Sequence, residues 1–498
     1  MKNSGVTIGG VCFCLMALVF PGTVLCVESN PPPFKISVSD AVLMALEHNP
    51  AFRVQRLQPR IVRTREDTAR SAFDPILFGE LSRNRQNSPE VTFQSDTNST
   101  AETTLDRTAF SAGISETLPT GTRMELSGRT VQDLPEYNRT VSRMGLAVNQ
   151  PLMAGAGRDV NLAVLRQARL DTQISVFELR GFTQALVAEV QQAYWEYVQK
   201  RDQREVFRDS LKVAERQWDE TRQRIQVGKL PELEAVAAEA EIASRHEGLI
   251  IAETQYEVAR LKLLRLLNVP DASLWTLMPD VTEVPVPPEK PLENVQAHVA
   301  AALAGRPDLN QARLVIRSGE IEVVRTRNGL LPKMDVFVTL GRSGYASSFE
   351  DSAEGRDATG YDVGVGLQVA WPLKNRAARA DHKRAVAGRY QAEEAYSNLC
   401  QLAQEDVRVA WVKAEGALAL EKAAQITQKL QERKLEAERS KFNEGKSTSL
   451  LVAQVERDLL ISKLATIQAV IATLTTRIDL YQKEGSLLSR LGLTIPEN

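Results

Sequence analysis

Residues 440–451 read SKFNEGKSTSLL. The core EGKSTS carries the glycine, lysine and hydroxyls with which a phosphate-binding loop holds a nucleotide, a reading that would impose an α/β fold. Such a loop needs another glycine five residues before the second one, and a strand leading in. The earlier position is Ser440, and the lead-in LQERKLEAERSKF (430–442) is charged and helical in pattern. An equivalent stretch, QVGKLPELE (226–234), keeps Gly228 and Lys229 but has Leu230 and Pro231 where the hydroxyls were. A nucleotide site does not survive that exchange, whereas a turn does. Gly228 and Gly445 are expected to end one helix by taking positive φ. Pro231 and the Ser447 and Thr448 hydroxyls suit the start of the next. Each stretch is therefore read as the tip of a long antiparallel helical hairpin.

The two tips belong to a duplication of the whole chain. VSDAVLMALEHNPAF (38–52) resembles VQAHVAAALAGRPDL (295–309), placing Pro50 opposite Pro307 at an offset of 257. Pro75 in FDPIL and Pro332 in LLPKM keep that offset. VNQPL (148–152) matches VAWPL (369–373) at 221, and Tyr194 with Trp411, like Gly228 with Gly445, at 217. The fall from 257 to 221 puts about 36 extra residues in the first copy, between Pro75 and Pro151. Residues 1–26 read as a signal peptide, 27–273 as the first repeat, 274–294 as a proline-rich linker and 295–498 as the second repeat.

Both copies follow one plan. A helix comes first, with Ser39-Asp40 as its N-cap; a proline then ends it and strands follow. YDVGVGLQVAW (361–371) alternates strictly, with Tyr361, Val363, Val365, Leu367, Val369 and Trp371 on one face. MDVFVTLG (334–341), TRMELSGR (122–129) and MGLAVNQ (144–150) alternate likewise. Barrel strands are expected over about 76–150 in the first repeat, with up to four segments, and about 333–371 in the second, with two. LPTG (118–121) reads as a hairpin turn. Helical hairpins are expected over about 157–268, with a tip at 228–231, and 376–488, with a tip at 445–448. Leu460, Leu464, Ile467, Ile471, Leu474, Ile478 and Tyr481 step by four and three, a coiled-coil seam. Ala403, Val407, Ala410, Ala414 and Ala417 form a small-residue face on the partner arm. An arm of about 65 residues spans about 100 Å and needs neighbours along its length. PLMAGAGRDVN (151–161) resembles a dinucleotide fingerprint but has Val160 in place of the third glycine, so it reads as a strand-to-helix connection.

Composition removes other classes. Net charge is −2, which gives no field for nucleic acid. Three of the four cysteines lie in the first 26 residues, so neither a disulfide framework nor a cysteine metal site is available to the body of the chain. The four histidines are scattered. No catalytic, cofactor or metal site is expected. Lys2 and the apolar run VCFCLMALVF (11–20) read as an export signal, with Cys26 a candidate lipid anchor. No later stretch is expected to reach the ~20 apolar residues of a spanning helix, so membrane insertion would require strands.

Taken together these residues resemble the TolC family of outer-membrane channel proteins. The carriers are ALEHNPAF and ALAGRPDL, FDPIL and LLPKM, NQPLMAGAGR and AWPLKNR, and the two Gly-Lys tips. The resemblance implies an α+β fold of two tandem repeats, and a homotrimer joining an outer-membrane β-barrel to a periplasmic α-helical barrel. It implies contact with outer-membrane lipid and a passive duct of an efflux or type I secretion system. A periplasmic adaptor and an inner-membrane transporter would be its partners, and nucleic acid would not. It also implies adaptor docking at Gly228, Lys229, Leu230, Gly445, Lys446, Ser447 and Thr448. The family's constriction carboxylates fall here on Leu451 and Gln454, so an apolar ring at Leu451, or Glu232 and Glu234 from the first tip, become the candidates. Four barrel strands per subunit are usual in the family; the extra residues either widen the barrel or raise one hairpin above the membrane. A secreted periplasmic coiled-coil scaffold without a pore is the alternative. It would have no need of alternating strands beside the helices.

Overall fold

The computed structural model describes residues 34–94, 97–134, 139–228, 230–269, 274–286, 291–355 and 358–493. The export signal and Cys26 lie outside them, as does Lys229.

The chain begins with β1 (Phe34–Ile36), α1 (Val38–His48) and α2 (Pro50–Arg70). Four strands follow: β2 (Ile76–Gln94), β3 (Thr97–Thr117), β4 (Arg123–Leu134) and β5 (Arg139–Pro151). After the single turn α3 (Arg158–Asn161) comes α4 (Ala163–Gln226), which α5 (Leu233–Leu267) partly retraces. The second copy repeats this with β6 (Pro279–Val281), α6 (Val295–Gly305), α7 (Pro307–Asn328), β7 (Lys333–Ala346), the short α8 (Phe349–Glu354) and β8 (Ala358–Ala370). It ends with α9 (Arg376–Asn443), α10 (Ser449–Glu484) and α11 (Leu487–Arg490).

Three features of the helices depart from the sequence reading. The first helix is capped not by Ser39-Asp40 but by Ser37, whose hydroxyl accepts from the Asp40 N–H at 3.1 Å. Pro50 and Pro307 do not lead into strands; each opens a second helix, of 21 and 22 residues. Proline at the first helical position sacrifices an N–H that has no partner anyway and presets φ. Asn49 completes the start of α2 by accepting from the Ala51 and Phe52 N–H groups. The hairpins are also unequal. The descending helices α4 and α9 hold 64 and 68 residues, about 100 Å each, but the returning α5 and α10 hold 35 and 36. The missing half is supplied by α2 and α7, which pack on the upper parts of α4 and α9.

Where the helices change partner there is a belt. β1 and β6 pair in parallel, one strand from each copy, with Phe34 opposite Pro279. Tyr194 donates its hydroxyl to the Ile36 carbonyl at 3.1 Å, and Tyr197 reaches the Pro279 carbonyl at 2.9 Å. Both tyrosines are fully buried among Val187, Val190, Leu263 and Leu267. Burial pushes both phenol pKa values well up from the ordinary range, so they stay neutral donors.

The helix α10 corrects another expectation. By length and composition it is apolar enough to cross a membrane. It is instead packed on two sides. Ser462, Ala469 and Thr473 are buried on a face directed at α9, where Thr466 reaches the Ala424 carbonyl and Thr473 reaches Glu421. Ile471, Leu474, Ile478 and Tyr481, the upper part of the expected seam, join the core formed with α4. The alanine face of α9 is buried from Ala403 to Ala417.

The remaining strands form one antiparallel sheet in the order β2-β3-β4-β5-β7-β8. β5 pairs with β7, so the two copies meet inside the sheet. One row runs across all six strands: Leu77, Ile114, Leu126, Leu146, Leu340 and Val363 are successive cross-strand partners. The opposite face is polar, with Arg107 bound to Asp133 at 2.7 Å and Arg143 bound to Asp362.

Candidate functional site

At the first tip α4 ends at Gln226 and Gly228 takes φ +73°, its N–H donating to the Ile225 carbonyl at 2.9 Å. At the second, Gly445 takes φ +74° and donates to the Phe442 carbonyl at 3.0 Å. Lys446 N–H then reaches back to the Lys441 carbonyl at 2.8 Å, closing the helix with a Schellman bond. A Cβ on either glycine would meet nothing within 4 Å. Conformation, not space, selects glycine there.

Thr448 is the N-cap of α10, accepting from the Leu451 N–H at 3.3 Å. Ser447 donates to Glu438, and that bond, followed by one from Lys441, holds the Glu438 carboxyl below its usual range. Lys446 pairs with Glu444 at 2.8 Å and stays exposed. Pro231 precedes the N-cap of α5, Glu232, and its carbonyl accepts from Glu234 N–H at 3.1 Å. Leu230 is half-buried.

The tips are tied to each other. Ser449 donates its hydroxyl to Glu234. Higher up, Arg457 reaches Glu241 at 3.0 Å, and Glu241 also holds the buried Arg245. Glu456 accepts from Arg439 at 2.6 Å and from Gln217 at 3.0 Å, joining α9, α10 and α4. The Arg224 guanidinium stands 4.9 Å from the centre of the Phe442 ring. Between the two hairpins lies a cleft of about 630 Å³ whose walls include Arg216, Arg224, Glu234, Glu241, Phe442 and Gln454.

The structure thus brings Glu234 and Gln454 to one cleft. Leu451 is not among the residues lining it and is 46% exposed; its neighbour Leu450 does line it. Glu232 is exposed and makes no side-chain cap. The cross-hairpin residues Gln217, Glu241, Arg439, Glu456 and Arg457 were not singled out from the sequence. Arg439 meets Glu456 within its own hairpin, 17 residues on, but the links between hairpins join residues 216 and 239 apart, which no local pattern reports. The duplication offset of 217 is the signal that could have found the Arg457–Glu241 pair. Among the described residues no group of three His, Cys, Asp or Glu side chains is placed to hold a metal.

A family model described as "Outer membrane efflux protein" matches residues 42–269 and 299–486, one segment for each copy. The pyoverdine export outer membrane protein OpmQ of Pseudomonas aeruginosa is 23% identical over 364 residues, covering 72% of this chain and 73% of that protein. Among solved structures, CusC superposes with a TM-score of 0.67 at 16% identity, covering 90% of this chain and 92% of its own. The outer-membrane channel OprN gives 0.67 at 17%, covering 90% and 89%. The outer membrane protein VceC of Vibrio cholerae gives 0.65 at 14%, covering 90% and 96%.

Proposed function

The chain belongs to the outer membrane efflux protein family, and from that premise we propose how it is assembled and where it is gated and docked. Its family is one of efflux ducts, not of enzymes, and the protein is an outer-membrane efflux duct with a long periplasmic extension. We infer a homotrimer. The observation that carries it is α9, buried on one side at Ala403, Val407, Ala410 and Ala414. On roughly the opposite side Leu402, Val409, Val412 and Leu420 are apolar and 45–61% exposed. A stripe of that length stays out of water only if another helix covers it. The exposed Val54, Leu57 and Ile61 of α2 support the same reading at the upper level. The pore would then run through the assembled copies.

The tips are the proposed docking site for a periplasmic adaptor that carries energy from an inner-membrane transporter. Gly228, Lys229, Leu230, Gly445, Lys446, Ser447 and Thr448 form it, because these turns end the long helices. The periplasmic constriction is proposed at the same level, from Glu232, Glu234, Leu451 and Gln454, with closure resting on packing at Leu451 more than on charge.

The test is to purify the mature chain in detergent, measure its mass and record conductance in planar bilayers. A trimer of low conductance is expected. A water-soluble monomer without conductance would sink the duct and revive the scaffold reading. For the constriction, Leu451→Ser should raise single-channel conductance; an unchanged value removes Leu451 from the gate.

A further inference from the structure

We propose that all six strands of each subunit stand in the membrane wall, so that three copies close an eighteen-stranded barrel by joining the β8 edge of one to the β2 edge of the next. This rests on the trimer inferred above, and the strand count goes beyond it. The family resemblance implies four wall strands per subunit, and six are present in one sheet.

The first observation is the apolar row. Leu77, Ile114, Leu126, Leu146, Leu340 and Val363 lie in direct register on one face. A hairpin standing in water has no use for Leu77, Leu81, Phe110 and Ile114 on that face, yet all four are there and exposed in the single chain. Lipid chains are the occupant that rewards every strand equally.

The second is the slope of the band. On β8 and the residue that follows it the apolar residues run from Tyr361 to Trp371, on β5 from Met144 to Val148, and on β2 from Leu77 to Leu81. Followed through the register, the band climbs from β8 to β2, and Gly79 of β2 shares a row with Tyr361. Strands tilted in a level slab require this climb. The third is thickness. Ten residues separate Tyr361 from Trp371, about 34 Å along the strand and about 26 Å of height at a tilt of ~40°. That matches the ~25 Å apolar band of outer-membrane barrels, with an aromatic residue at each boundary.

The upper limit is marked too. One row beyond Leu81 and Phe110, Arg83 lies opposite Thr108 on the same face and binds Asp106 at 2.6 Å. On β5 the limit falls one row lower, in keeping with the slope: Ser142, in register with Leu81 through Phe110 and Thr130, lies just above Met144 and bonds Ser352 of α8. Above Arg83 the β2–β3 hairpin continues to Gln94 and Thr97, about 35–40 Å of ladder outside the membrane. The extra residues therefore both widen the wall and rise above it. Closure is compatible with direction, since β2 and β8 are antiparallel edges of an alternating sheet. Barrel diameter grows roughly linearly with strand number, so the lumen would be about half again as wide as with twelve strands.

The experiment places single cysteines, labelled with bimane, in a Cys400→Ser background: Leu77→Cys on β2, Ile114→Cys on β3, Val365→Cys on β8 and Ser115→Cys on the polar face. The protein is reconstituted in brominated phosphatidylcholine vesicles, and its mass is measured separately in detergent. Expected is a trimer in which labels at 77, 114 and 365 are quenched by brominated lipid and the label at 115 only by iodide. A trimer in which 77 and 114 are quenched by iodide and not by lipid overturns the six-strand wall and leaves the trimer standing. A mass other than a trimer overturns the count of eighteen while the quenching still reports strands per subunit. Electron cryo-microscopy of the unmodified protein in nanodiscs counts the strands directly; twelve would also overturn the proposal.

Discussion

Arg457 of α10 reaches across to Glu241 of α5 at 3.0 Å, and the two lie 216 residues apart. The spacing matches the repeat offset of 217 because the hairpins stand side by side, with equivalent residues at one level.

This pair should separate mechanics from stability. Glu241 also holds Arg245, whose side chain is only 8% exposed, whereas Arg457 is 57% exposed. Glu241→Gln strands a buried cation and should cost about 2–4 kcal/mol. Arg457→Ala should cost less than about 1 kcal/mol and act on the link between hairpins, raising basal conductance. Thermal unfolding and bilayer recording of both variants check this; equal melting losses would contradict it.

At the tip, Gly445→Ala should cost about 1–2 kcal/mol through the positive φ alone, since nothing crowds the new methyl. Gly445→Asn should cost less, because asparagine tolerates that region. Amide exchange in the last turn of α9 reads the difference.

Thr448→Ala should fray the start of α10 by about 1 kcal/mol, with Thr448→Ser close to wild type. The Leu451 amide, which donates to the threonine hydroxyl, should lose protection first.

Acid sensitivity should have a component at the head of α7. Arg306 binds Asp308 at 2.8 and 3.1 Å and Asp406 at 3.1 Å. Burial alone would raise the Asp308 pKa, but the bonds from Arg306 outweigh it and hold the pKa below the ordinary value. With a depressed folded-state pKa, the stabilisation is complete above the unfolded value of about 3.9 and is lost as pH falls through the folded one. Stability should therefore be insensitive to this group from pH 7 to about 5 and decline below about pH 4. Asp308→Asn should flatten that part of the acid limb in a series of melting curves. An unchanged limb would show that Asp308 is not responsible.

The sequence made the strands legible because one face of each is apolar, as with Val363, Val365 and Leu367. It made the long helices legible because no proline interrupts them. Gly228 and Gly445 could be read as helix ends once their copies were compared, since the turn survived where the hydroxyls did not. Other features depend on tertiary placement. Pro50 and Pro307 look like stops but serve as starts, a distinction made by the preceding residue's conformation and, at Asn49, by its cap. The half-length return of α5 and α10 left no local mark, because α2 and α7 complete the packing from elsewhere in the chain. Glu421 reads as a solvated helix carboxylate, yet it is buried and held by Thr473 and Gln425. The cleft residues share this limit: Glu234 and Gln454 were reachable by counting from the tip glycines, whereas Gln217 and Arg439 were not.

The two-stranded belt also sets an order of events during biogenesis. The strand at Phe34–Ile36 leaves the export machinery early, but its partner at Pro279–Val281 follows almost half a chain later, and the Val38 amide must likewise wait for Glu283, 245 residues on. The amino-terminal copy therefore cannot finish its own middle until most of the polypeptide has crossed the inner membrane, which leaves a long window in which a holding chaperone would have to shield it.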